Sequence, residues 1–453
     1  MKNRPVLDMT QGRPLPLLLR FGLPLVLGSL FQQLYSFADT AIVGRCISVD
    51  ALSAVGVTGA LDFLILGFTM GSTTGFCIPI SQSVGAGRRE DVSRYFWNGL
   101  YLGLLISLGV TAGVTPFVRT LLVMMNTPPQ LLDMAVEYLT IILLGQTATV
   151  LYNYFAGALR ALGDSQRPFY FLAASCFLNV GLDFLFIRAF RMGVAGAAAA
   201  TVASKAVSAV LCAWWLFARM DAVRRRDGAG GALARPSGRH LAGACLMGVP
   251  LGLEYSVTSV GSVVLQGSIN TLGAVAAAAQ ICGERIRSIA TMPMESIGMA
   301  MATYTGQNFG AGRPDRIRAG VCSGLLIQAV YSAAAWAVLF ALKGPLVYLL
   351  LGESASPEAL GAMQYLSIIT ALFIFHGSLM IFRNTVQGMG YGVSALASGA
   401  MEVVGRVAAG LLAVRFGSFI LICLASPLAW VLSLGCCMIL YFHYIRKIQG
   451  RLG

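Results

Sequence analysis

Apolar stretches long enough to cross a lipid bilayer succeed one another from about residue 16 to residue 444, with only short polar turns between most of them. Hydropathy and breaker residues set twelve, near 16–43, 52–82, 93–122, 132–158, 168–189, 194–218, 241–271, 275–308, 317–342, 357–385, 392–414 and 418–444. Inside lipid every backbone N–H and C=O must be satisfied within its own segment, so runs of this kind fold as helices. Several exceed the ~20 residues a bilayer needs, which predicts tilt, kinks or protrusion into water. The expectation is an all-α membrane protein with twelve transmembrane helices.

Composition supports it by exclusion. Charged residues are 11% of the 453, against roughly 25% in soluble domains, too few to coat a soluble surface. That disfavours a soluble enzyme, a nucleic-acid binder and a secreted disulfide scaffold. The formal charge of +13 is then read as basic loops facing an anionic membrane leaflet. The four lysines, Lys2, Lys205, Lys343 and Lys447, never follow a glycine, so there is no P-loop and no ATP is expected as a partner. The ten cysteines form no C-x-x-C pair and read as buried thiols. His240, His376 and His443 lack metal-ligand spacing, and no H-E-x-x-H or G-x-S-x-G sequence occurs, so neither a cofactor nor catalysis is expected. The polar N-terminus, Met1 to Pro14, runs into a first span too long for a signal peptide.

An even number of spans puts both termini on one side. The N-terminus, the even-numbered loops and the C-terminus hold 22 bases; the odd-numbered loops hold 6, namely Arg45, Arg119, Arg188, Arg191, Lys343 and Arg415. This asymmetry orients both termini toward the cytoplasm of a cell (inner) membrane. A polar linker, Arg219 to Arg239, with Arg224, Arg225, Arg226 and a Gly-rich patch, divides the chain into six-helix lobes at 1–218 and 240–453.

The lobes are copies. Ser81-Gln82-Ser83-Val84-Gly85-Ala86-Gly87-Arg88-Arg89-Glu90-Asp91 recurs 225 residues later as Gly306-Gln307-Asn308-Phe309-Gly310-Ala311-Gly312-Arg313-Pro314-Asp315-Arg316. Both copies end the second span of their half. Six spans per half is an even number, so the halves share one orientation, related by a pseudo-two-fold axis along the membrane normal. Two such bundles suit alternating access.

Acids within spans are costly in lipid and are candidates for function by default. Asp39 lies in the outer part of span 1, beside Tyr35 and Ser36. Asn179 and Asp183 are four apart on span 5 and share a helix face; span 6 carries Thr201 and Lys205, also four apart. Counted from the outer helix ends, Asp39 and Asp183 are roughly 8 Å deep and Thr201 roughly 15 Å, so all four oxygen-bearing residues can line one pocket. The second half lacks the set: Asp39 faces Val264 at offset 225, and Asn179 and Asp183 face Arg406 and Gly410 at offset 227.

Two carboxylates, an amide and a hydroxyl suit a sodium ion, with a backbone carbonyl such as that of Ala197 completing the set. They suit a proton equally, because close carboxylates in a poorly hydrated pocket share one. Lys205 either reaches these acids as a resident cation or keeps its head elsewhere. Glu402 and Arg406 have the spacing of an intrahelical ion pair. Glu254 on span 7 and the group Glu284, Arg285 and Arg287 on span 8 read either as a buried pairing network or as substrate contacts. Met292, Met294, Met299 and Met301 read as core or cavity wall. Tyr35, Tyr152, Tyr154, Phe155 and Tyr255 can pack or stack on flat cations.

At these residues the chain resembles the multidrug and toxic-compound extrusion (MATE) family over essentially its whole length. The resemblance rests on Pro24 fifteen residues before Asp39, on Asn179-Val180-Gly181-Leu182-Asp183, and on the paired Gln-x-x-Gly-Ala-Gly-Arg stretches. Leu265-Gln266-Gly267-Ser268-Ile269-Asn270 and Gly388-Met389-Gly390 followed by Glu402 and Arg406 resemble the prokaryotic branch near the DNA-damage-inducible subgroup. It implies cation-coupled efflux of small organic, cationic or amphipathic compounds by a monomer, with coupling at Asp39, Asn179, Asp183 and Thr201. It also implies that Pro24 lets the first helix bend. Lys205 departs from the family pattern. A lipid-linked oligosaccharide flippase of the broader superfamily is the rival reading; it calls for a large cationic groove, and this chain's first-half site is acidic.

Overall fold

The computed structural model describes residues 7–227 and 235–450. Residues 228–234, the Gly-rich part of the expected linker, lie outside the described residues, as do the chain ends with Lys2 and the side chains of Arg224, Arg225 and Arg226. Among the described residues there is no strand. The first half holds α1 (Pro14–Cys46), α2 (Val49–Gly85), α3 (Arg89–Val114), α4 (Val118–Met124), α5 (Pro129–Leu144), α6 (Gln146–Ala161), α7 (Gln166–Asp183) and α8 (Gly193–Asp227). The second half holds α9 (Gly238–Thr271), α10 (Ala274–Gly310), α11 (Pro314–Leu351), α12 (Pro357–Ala371), α13 (Phe373–Gly388), α14 (Val393–Phe416), α15 (Phe419–Cys423) and α16 (Ala425–Gln449).

These helices make twelve spans, six from each half. Among the described residues nine helical segments are long and apolar enough to cross a membrane, and two bent pairs, α5 with α6 and α12 with α13, raise the number to 11. The twelfth is α10, whose 37 residues match the longest spans but whose Glu284, Arg285, Arg287 and Glu295 lower its hydropathy. One boundary differs from expectation. The sixth span was expected to give way to linker at Arg219, yet α8 continues to Asp227. The run Met220 to Asp227 holds no glycine or proline, so nothing in it interrupts the helix.

The internal repeat is visible in the backbone. The fourth span of each half is broken, by 45° at Gly145 and by 49° at Leu372, positions 227 apart. Both break residues sit in the bridge region, with φ −82° and ψ 0° at Gly145 and φ −104° and ψ 9° at Leu372. Left-handed residues recur in the same register: Gly87 and Gly312 (φ 68° and 66°), Asn126 and Gly352 (56° and 75°), Gly163 and Gly390 (90° and 95°). At Gly87 and Gly312 the reason is a helix stop. The chain turns through the glycine so that Arg88 N–H reaches Ser83 O (3.0 Å) and Arg313 N–H reaches Asn308 O (2.9 Å). Helix starts are set as directly. Ser356 Oγ accepts the Ala359 N–H at 3.3 Å ahead of Pro357, and Pro314 with Asp315 opens α11.

Two compact units emerge. One comprises Leu27–Val84 and Arg88–Gly252; the other comprises Asp8–Val26, Gly85–Gly87 and the chain from Leu253 onward. The divisions inside α1 and α9 each fall two residues after an in-helix proline, Pro24 and Pro250. The first unit is cored by clusters around Phe76, Phe96, Tyr154 and Leu159, and around Leu122, Leu139 and Leu143. In the second unit Leu265, Ile269, Ala409 and Ala413 pack α9 on α14. There the chain ahead of α1 is strapped to the second repeat motif. Met9 N–H donates to Gln307 Oε1 (3.1 Å), and the Met9 carbonyl accepts from Asn308 Nδ2 (2.9 Å) and Arg316 Nη2 (3.2 Å). In the first unit the chain ahead of α9 is held in turn, Ser237 N–H donating to Asn98 Oδ1 at 2.9 Å.

Candidate functional site

The site lies in the first unit, where α1, α7 and α8 meet. α7 is fastened to α8 by Ser175 Oγ donating to Ser204 O (2.8 Å) and Ser208 Oγ donating to Phe171 O (3.2 Å). That register sets Asn179 against Thr201. With its amide turned to satisfy both ends, Asn179 Nδ2 donates to Asp183 Oδ2 at 3.0 Å and Oδ1 accepts the Thr201 N–H at 3.2 Å. Tyr35, one turn before Asp39 on α1, places its hydroxyl 3.3 Å from Thr201 Oγ1. The Asp39 and Asp183 carboxyls come within hydrogen-bonding reach of each other. Asp39, Asn179 and Asp183 are buried, and Ala197, one turn before Thr201 on α8, is fully enclosed.

The polar set is walled by apolar side chains. Ile42, Val43, Ala51, Tyr138, Ile142, Ile187, Val194, Ala197 and Ala198 form one cluster around it. After Asp183 the helix widens into a π turn, Phe184–Ala189, in which Phe190 N–H reaches back to Leu185 O at 3.0 Å. Within this site Asp39 Oδ1 and Asp183 Oδ1 are buried without a hydrogen-bond partner. No described ion pair includes either acid. Two facing carboxyl groups with unpaired oxygens and no base beside them require a proton or a cation between them.

Lys205 follows Thr201 by one turn; it is in no described ion pair, and the acid near enough to feel its charge is Asp62 on α2 rather than Asp39 or Asp183. Asp62 was missed in reading the sequence. It is the one acid between Val57 and Gly71, and the rule that singled out Asp39 applied to it equally. Pro24 lies within α1, on the other side of the unit division from Asp39.

The remaining candidates belong to the second unit. Glu254 on α9, Arg383 and Gln387 on α13, and Glu402 and Arg406 on α14 form one buried network. Glu284 and Arg287 pair along α10, and Glu284 Oε2 also accepts the Tyr365 hydroxyl at 2.7 Å. Arg285 points away, exposed and in no described ion pair. Arg383, which the sequence did not single out, is the hub of the network. Met294 and Met301 are fully buried core, and the Tyr154 hydroxyl is spent on Phe96 O at 2.6 Å.

Comparison with known proteins fits this architecture. The probable multidrug resistance protein YpnP of Bacillus subtilis is 28% identical over 386 residues, 84% of this chain and 84% of that protein. The probable multidrug resistance protein NorM of Thermotoga maritima is 26% identical, covering 82% of this chain and 78% of that protein. A solved structure of a MOP superfamily transporter from Pyrococcus furiosus, described as having a binding pocket of reverse polarity, superimposes with a TM-score of 0.90. It is 21% identical and covers 99% of this chain and 100% of that one. The MatE family model matches residues 24–185 and 250–404. That match spans more than half the sequence and both copies of the repeat, so the chain is a multi-pass membrane protein of the MatE family, whose members are transporters of small molecules and not enzymes.

Proposed function

We propose that this protein is an antiporter that exports small organic compounds, cationic or amphipathic, by alternating access, driven by inward flow of sodium or protons. The observation that carries the coupling half is the Asp39–Asp183 pair: two buried carboxyl groups in mutual reach, each with an unpartnered oxygen. An ion bound there changes the charge of an enclosed pocket, and a ligand that binds one state better than another shifts a two-state equilibrium. Thr201, the Asn179 amide oxygen and the Ala197 carbonyl supply further oxygens for sodium; the carboxyl pair alone suffices for a proton. Pro24, inside α1 and fifteen residues before Asp39, gives that helix a point at which to bend.

The names of the multidrug resistance relatives support the export half, and they favour it over the flippase reading. The base asymmetry supports placing both termini in the cytoplasm of the cell membrane; transport as a monomer completes the reading. The experiment is efflux from vesicles with sodium and pH gradients imposed separately. Efflux driven by one of them and lost in Asp183→Asn is the expected result; efflux indifferent to both gradients would overturn coupling.

A further inference from the structure

Arg383 stands between two buried glutamates of the second unit. Its Nη1 lies 3.1 Å from Glu254 Oε1, and its Nη2 pairs with Glu402 Oε1; the three side chains are 16%, 5% and 5% exposed. Gln387, one turn further along α13, donates Nε2 to Glu254 Oε2 at 3.1 Å. The second oxygen of Glu402 takes Arg406 Nη2 at 3.1 Å. Arg406 Nη1 is itself engaged by Thr258 O (3.0 Å) and Ser262 Oγ (3.3 Å). Three of the four carboxylate oxygens therefore accept a hydrogen bond from the chain itself, and the fourth, Glu254 Oε1, has no hydrogen bond but lies at ion-pair distance from Arg383.

The contrast with the first unit is chemical. There, Asp39 and Asp183 face each other and no described ion pair includes either, whereas Glu254 and Glu402 are both in ion pairs with arginine. In the second unit the repeat puts Arg406 where the first has Asn179, at offset 227, and a guanidinium is built in between the acids. Removing one partner from a buried ion pair leaves an uncompensated charge that must be neutralised. Of the two acids, Glu254 depends on Arg383 most: its other contact is a neutral amide, while Glu402 keeps Arg406.

We propose that Arg383 is a resident counter-cation that fills the Glu254–Glu402 carboxylate pair and closes it to any exchangeable ion, so that the chain is left with ion exchange in the first unit alone. The proposal rests on the reading of Asp39 and Asp183 as the coupling site. Its content is a specificity device: a covalently held cation at a place in the second unit where two buried acids converge on a third helix.

The test uses the full-length protein in lipid vesicles, a hydrophobic carbodiimide that reacts with uncharged carboxyl groups, and mass mapping of the modified peptides. In the native protein Glu254 and Glu402 stay unlabelled, with or without sodium chloride. In Arg383→Gln, Glu254 loses its only guanidinium and its labelling rises on the order of ten-fold. That labelling is suppressed by sodium chloride and not by choline chloride, because the vacated pair admits a small cation. Arg383→Lys keeps a charge there and stays unlabelled. Labelling of Glu254 in Arg383→Gln that is indifferent to sodium means a merely structural arginine and overturns the proposal. If Arg383→Gln does not assemble, the native protein decides alone: sodium-sensitive labelling of Glu254 there shows an exchangeable ion and overturns it, and its absence supports it. Asp39 and Asp183 are read from the same digests. Failure of both to react or to respond to either ion would sink the coupling reading while leaving the Glu254 result standing.

Discussion

The hydroxyls of Tyr35 and Thr201 lie 3.3 Å apart, joining α1 to α8 one helical turn from Asp39. This contact orients Thr201 Oγ1, one of the oxygens available to a coupling ion. Tyr35→Phe removes it without altering the ring. A neutral hydrogen bond of this kind contributes about 1 kcal/mol, so the ion concentration giving half-maximal efflux should rise about five-fold with the maximal rate little changed. Efflux titrated against the driving ion checks it; an unchanged midpoint would show that the Tyr35 contact does not set the ion affinity.

Asp183 and Asp39 should not be equivalent. Asp183 accepts from the Asn179 amide, whereas Asp39 has no such support among the described contacts. Asp183→Asn, placed opposite Asn179, removes a charge and sets two amides against each other. Ion-driven efflux is expected to fall to background in a protein that still elutes as a single species. Asp39→Glu, which keeps the charge on a longer and less fixed arm, should retain measurable efflux with a weakened ion dependence. Equal activity of Asp183→Asn and the native protein would remove Asp183 from the mechanism.

Lys205 and Asp62 form the second polar relationship of the first unit. Because the charge of Lys205 acts on Asp62 and not on the Asp39–Asp183 pair, Lys205→Gln should leave the ion dependence of efflux unchanged. It should cost stability instead, about 1–3 kcal/mol, the usual cost of leaving an embedded charge without its partner. Asp62→Asn combined with Lys205→Gln removes both charges and should recover most of that loss. Thermal melts of the four proteins in one detergent form the cycle. A sodium dependence that sharpens in Lys205→Gln would instead place the ammonium at the Asp39–Asp183 pair.

Position along each helix was legible in the sequence, and azimuth was not. Counting residues from helix ends put Asp39, Asp183 and Thr201 at compatible depths, and the i, i+4 spacing put Asn179 and Asp183 on one face; the structure brings these groups together. Which way Lys205 points depends on how α8 is rotated against α2, and no spacing within a single helix carries that. Arg383 was hidden for a related reason. It lies five residues from the end of α13, where a base reads as a loop charge, and only the packing of α9 and α14 around it encloses it. The kinks at Gly145 and Leu372 were equally illegible. At Gly145 a Cβ would sit 2.2 Å from Val202, so the residue's role is to let α8 approach, a fact of packing rather than of propensity.

Gly75 and Gly248 mark where α2 and α9 cross within the first unit. A Cβ on Gly75 would lie 2.5 Å from Gly248 Cα and 2.7 Å from Met247 O, and one on Gly248 would meet the Phe76 ring at 2.1 Å. The neighbours of Gly75 are backbone, which cannot swing aside, and membrane helices rely on small residues for such close crossings. Gly75→Ala should therefore destabilise the protein by about 1–3 kcal/mol, the range for overpacking, and lower its melting temperature in detergent. Gly56 provides the control on the same helix, since a Cβ there meets nothing within 4 Å. Gly56→Ala should be neutral or stabilise by up to about 1 kcal/mol, because alanine loses less backbone entropy than glycine in a helix. Two substitutions of identical chemistry on α2 should thus shift the melt in opposite directions. A matched shift at both positions would mean that the crossing is looser than its backbone spacing indicates.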